Sequence, residues 1–118
     1  MAVQAAGVLK IAPSTMTALE GQAAQQAFAR FVQWWGRAGL PPGDGDWLRR
    51  LWDHAGAEAA ELGVDADDED RRSLYAAAFA LMGDMDGHQF LRVADILFLD
   101  EPRPDRLRRI AAVAQGQR

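Results

Sequence analysis

Cysteine is absent from the 118 residues, so the chain has no disulfide framework, no thiol nucleophile and no thiolate metal site. Lysine is nearly absent: Lys10 stands alone among 13 basic residues, and the rest are arginine. No stretch approaches the roughly 18 uninterrupted apolar residues of a membrane span. The first dozen residues lack the basic start and sustained apolar core of a signal peptide. These absences predict an unexported, cytoplasmic protein with no membrane partner. Strand-like alternation is missing beyond residue 12, and hydroxyl side chains are few and sit where helix caps sit. No GxSxG, P-loop or dinucleotide fingerprint occurs.

Hydrophobic residues make up 49% and charged residues 25%, the balance of a globular chain rather than a disordered one. At this length a single domain, residues 1–118, can bury a core unaided. Net charge is −4, and the whole is acidic with only a short basic tail, which argues against a nucleic-acid partner. The charge is nevertheless uneven. Residues 53–70 hold eight carboxylates and no lysine or arginine, whereas the tail from Arg103 carries five arginines.

The longest apolar run, Ser73 to Pro102, reads as two helices joined by a turn, a central hairpin against which earlier helices pack. Leu74, Ala77, Ala78, Leu81 and Met82 recur at helical spacing, as do Phe90, Ala94 and Leu97. Gly83 and Gly87 bracket Asp84-Met85-Asp86, residues that stop one helix and start another. Residues 1–12 read as an N-terminal arm. A first helix is expected from Ser14 or Thr17 to about Arg37, with Met16, Leu19, Phe31 and Trp34 or Trp35 on one side. A second runs from a cap at Asp46 to Gly63, with a stripe of Trp47, Leu48, Leu51, Trp52, Ala55, Ala59 and Leu62. Gly56 inside it suggests a close helix crossing. A last helix capped by Asp105 turns Leu107, Ile110, Ala111 and Ala114 inward. The fold class is therefore all-α, an irregular bundle of about five helices.

Chemistry-bearing patterns are sparse. Asp84-Met-Asp86-Gly invites comparison with a calcium loop, but counting from Asp84 places Gln89 at position six and Asp95 at twelve, where glycine and glutamate are required. The run from Asp65 to Asp70 fails the same test. His54 and Glu58 lie four apart on one helix face, and His88 is the only other histidine. They are the residues an enzyme or metal site would use, and they read more simply as exposed neighbours. No cofactor, metal or catalytic residue is assigned. Adjacent Trp34 and Trp35 point about 100° apart, so one is expected in the core and the other outward. With Asp67 and Asp68 it forms the candidate partner-binding set, an aromatic anchor beside steering charge.

Met16-Thr-Ala-Leu19, Phe28, Phe31, Ala60-Glu-Leu-Gly63, Tyr75…Phe79-Ala-Leu81-Met-Gly83-Asp-Met-Asp86, Ala94-Asp-Ile-Leu97 and Arg106-Leu-Arg-Arg-Ile110 together carry a resemblance. Over about 100 residues the chain resembles small helical proteins encoded beside bacterial type VI secretion spike and effector genes, with Met85 where an aromatic is usual. Leu74 to Ala114 is also similar to one tetratricopeptide unit of class II type III secretion chaperones, which repeat such units at a period of roughly 34 residues. Both resemblances imply a non-enzymatic adaptor, chaperone or immunity partner that holds a secreted effector or toxin.

Overall fold

The computed structural model describes residues 21–116. The expected arm at residues 1–12 and the caps at Ser14 and Thr17 lie outside them. The described residues form five helices and contain no strand, so the chain is all-α. Residues 21–37 are helical (α1), followed by α2 (Gly45–Ala60), α3 (Glu69–Met82), α4 (Gly87–Leu97) and α5 (Arg103–Ala114). The chain parts into two compact units, Met1–Arg30 and Phe31–Arg118. The packing below is that of the second.

Caps explain most boundaries. Asp44, not Asp46, caps α2: its side chain accepts from Trp47 N at 2.7 Å, and Asp46 sits within the first turn. The helix ends at Ala60, three residues before Gly63, whose φ of 85° completes the exit turn. Asp68 caps α3 through Arg71 N. Gly83 ends that helix at φ 66°, a backbone conformation that a Cβ disfavours. Asp86 then starts α4 with a reciprocal capping box, its carboxylate accepting from Gln89 N while Gln89 Oε1 accepts from Asp86 N. In α5 the cap position is Pro102, without a side-chain bond, and Asp105 lies in the first turn instead.

Burial concentrates in α3. Six consecutive residues, Ser73 to Ala78, are buried, which marks a helix covered on every side rather than an amphipathic one. The alanines at 76, 77 and 78 keep its surface narrow enough for neighbours to approach closely. It packs against α2, α5 and α4, and α4 packs against α5 as well. From α2 come Leu48, Leu51, Trp52, Ala55 and Ala59; from α4, Val93, Ile96 and Leu97; from α5, Ile110 and Val113. Leu81, expected in this core, is only half-buried because it falls in the last turn of α3, beyond the covered segment.

The tryptophans form a corner between the end of α1 and α2. Phe31 stands 4.6 Å from Trp52 and 5.4 Å from Trp35, ring centre to ring centre. Trp35 is 2% exposed and its indole N–H donates to the Pro41 carbonyl at 2.7 Å, fastening the proline-rich loop. That settles which of the adjacent pair the core takes: Trp35 is spent there, and Trp34 is the one that reaches the surface.

Candidate functional site

Two constellations hold most of the polar chemistry. The first is an arginine clasp. Arg106 is buried at 5% exposure in α5, a position where the sequence periodicity placed only apolar neighbours facing inward. Its guanidinium donates to Asp70 Oδ2 at 2.5 Å, to the Leu97 carbonyl at 3.0 Å and to the Glu101 carbonyl at 2.9 Å. Arg71 Nε donates to the same Leu97 carbonyl at 3.0 Å. Arg103 Nε lies 3.0 Å from Asp70 Oδ1, an ion pair whose N–H is not aimed at that oxygen. Three helices thus meet at one carboxylate and one carbonyl.

This clasp changes the meaning of the charge asymmetry. One carboxylate of the acidic stretch meets the arginine tail within the fold, since Asp70 takes Arg103 and Arg106, while Asp53 faces Arg49 and Arg72. Asp68 is likewise engaged, capping α3 and pairing with Arg71 at 2.6 Å. Of the candidate partner-binding residues, Asp67 is exposed and Trp34 half-exposed, with the Arg103 guanidinium 5.2 Å from its ring centre. Trp35 belongs to the core.

Arg72 accounts for Gly56. Its Nε donates to the Trp52 carbonyl at 3.0 Å and its guanidinium lies 4.0 Å from the Trp52 ring centre. A Cβ on Gly56 would stand 2.6 Å from the Arg72 Cζ. The glycine makes room for a side chain, where the sequence suggested close backbones. Burial lowers the Arg72 pKa, with the Asp53 carboxylate opposing the shift.

The second constellation surrounds a cavity of about 170 Å³ where α2, the end of α3 and the start of α4 converge. Glu58, Tyr75, Phe79, Asp84, Met85 and Phe90 line it. His54 Nε2 lies 2.8 Å from Glu58 Oε1, and the His54 ring sits 4.3 Å from that of Phe79. Tyr75 is 1% exposed, and its hydroxyl donates to the same Glu58 oxygen at 3.3 Å. Its pKa is pushed up to about 12 by burial first, then by the charge of Glu58, the hydrogen bond to it, and the charge of Glu61.

The His54–Glu58 pair is therefore more than two exposed neighbours: Glu58 also serves a buried phenol. His88, in the first turn of α4, is exposed and joins neither. Asp84 has no ion-pair or hydrogen-bond partner among the described residues. Among those residues no group of three or more His, Asp or Glu side chains is placed to hold a metal ion. No helix among them is long and apolar enough to cross a membrane.

Sequence reasoning passed over one further surface. Leu91, Phe98 and Leu99 are 65%, 48% and 38% exposed. Leu91 and Phe98 are seven residues apart, two turns along one face of α4 and its C-cap. The signal was present in the spacing, but apolar residues at helical period read equally well as core. No protein family, no curated protein and no solved structure matches the chain.

Proposed function

We propose that the chain is a non-enzymatic protein-binding accessory, of adaptor, chaperone or immunity type, whose partner is a secreted bacterial effector or toxin. The observation that supports binding is the outward apolar pair Leu91 and Phe98 on α4 and its C-cap, with Leu99 also exposed just past it. A singly exposed leucine needs no explanation. Two large apolar side chains exposed two turns apart on one helix face are a repeated cost in water, and contiguous exposed apolar surface marks protein contacts. Arg71 places its guanidinium 4.5 Å from the Phe98 ring centre, so the stripe carries charge at its edge as well. The effector identity of the partner rests on the resemblance carried by Tyr75 to Asp86 and by Arg106 to Ile110.

The test is capture from the native host with the wild-type chain beside Leu91→Asp and Phe98→Asp, followed by reconstitution with the purified captured protein. A defined complex that both variants weaken strongly, while their thermal unfolding matches the parent, supports the reading. A complex indifferent to both substitutions overturns the α4 stripe as its contact.

A further inference from the structure

We infer that the cavity between Glu58 and Asp84 is a pocket for a primary alkylammonium group, and that in the complex it receives a lysine side chain of the protein partner. The occupant rests on the protein-binding reading above; the chemistry of the pocket stands on its own.

The lining selects the ligand class. Two carboxylates, Glu58 and Asp84, share the cavity with the rings of Phe79 and Phe90, the Met85 thioether and the Tyr75 phenol, and no arginine or lysine lines it. Glu58 gives one oxygen to His54 and Tyr75, and neither contacts the other oxygen. Asp84 is unpaired among the described residues. An anion would be repelled. A bare divalent ion is poorly served, because calcium needs roughly six to eight oxygen ligands and most of this wall is apolar. Aromatic walls with carboxylates at the rim suit an organic cation, whose methylenes contact the rings while its N–H groups reach the oxygens.

Size narrows the class further. At about 170 Å³ the cavity falls short of the roughly 300–1,000 Å³ of pockets that enclose whole metabolites. It far exceeds the roughly 10–15 Å³ that one water needs. A single flexible side chain fills that interval. An ammonium with three rotatable donors can use two separate carboxylates, whereas a guanidinium prefers one carboxylate met by its planar fork. Burial is the first cause of the raised Tyr75 pKa, and the charges of Glu58 and Glu61 add to it.

The probe is Nα-acetyl-lysine methylamide, titrated into protein labelled at the methionine methyls and followed through the Met85 resonance. Nα-acetyl-norleucine methylamide serves as the neutral control, and butylammonium as a free amine. The expected result is a saturable Met85 shift with lysine and butylammonium, absent with norleucine, and weakened about tenfold by Asp84→Asn or Glu58→Gln. Asp84 lies on the exposed turn, so its variant reports on the pocket even if Glu58→Gln perturbs the fold. No saturable shift, an equal response to norleucine, or full binding by Asp84→Asn overturns the pocket. A pocket that binds lysine while the reconstituted complex is unchanged by Asp84→Asn overturns the partner's lysine as occupant. Failure of the α4 stripe test would leave the amine titration untouched, so the two proposals fail separately.

Discussion

The Arg106 guanidinium and the Asp70 carboxylate meet at 2.5 Å across 36 residues of chain, tying α5 to the first turn of α3. The arginine is buried, while the aspartate side chain as a whole remains 41% exposed. Burying a guanidinium is tolerable only when its donors are used and its charge is met, and here both conditions hold. Arg106→Ala is expected to cost about 2–3 kcal/mol of stability, through lost charged hydrogen bonds and a void. Arg106→Lys recovers little of it, because one ammonium cannot reach a carboxylate and two carbonyls in fork geometry. Denaturant unfolding of both variants checks the order.

Leu97→Ala should be far costlier than Leu81→Ala. Leu97 is fully buried against α3 and α5, and such truncations cost about 2–5 kcal/mol. Leu81 retains contact with water in the native state, so its truncation is expected to cost about 1 kcal/mol, less than full burial would imply. Equal losses in chemical denaturation would contradict the burial difference.

Gly56→Ala is expected to destabilise, although alanine is the better helix former by roughly 1 kcal/mol. The new methyl displaces Arg72 from the Trp52 carbonyl and ring, losing a charged hydrogen bond of about 1.5–3 kcal/mol and a cation–π contact of about 0.5–1 kcal/mol. The net loss is about 1–3 kcal/mol by the same figures. With Arg72→Ala already in place, the sign reverses and alanine at 56 stabilises. A double-mutant cycle measures both.

Alkaline titration isolates one group, because Tyr75 is the only tyrosine. Its ordinary pKa of 10.0 is raised to about 12, so the folded state holds the phenol proton more tightly than the unfolded chain does. The stability linked to that proton is complete below pH 10.0 and is lost as the pH rises towards about 12. Tyrosinate absorbance should show the late midpoint in the parent. Glu58→Gln should lower it by removing the nearest charge, while burial keeps it above 10.0. A midpoint unmoved by that change would mean that the Glu58 charge contributes nothing, leaving burial and Glu61 to set it.

What the sequence made legible was local. Asp86 as a cap, Gly83 as a stop and the Leu48–Leu51–Trp52–Ala55–Ala59 stripe each depend on residues within a turn or two of one another. Asp44 was missed in favour of Asp46 because both lie beside the helix start and either can cap. The inward face of α5 was read without Arg106 because its counter-charge is far away in sequence, and periodicity counts only apolar side chains. The alkylammonium cavity was invisible for a related reason: its walls come from residues 58, 75, 79, 84, 85 and 90, which no spacing rule brings together.

The Leu97 carbonyl accepts from Arg71 and Arg106 together, and that has a kinetic consequence. The end of a helix ordinarily frays, because its last carbonyls lack intrahelical donors. Here fraying α4 from this end must release side chains anchored in α3 and α5 at the same moment. Opening at this end is therefore opposed by two charge-assisted hydrogen bonds from two other helices, and amides near it are expected to exchange more slowly than those at an unanchored helix end.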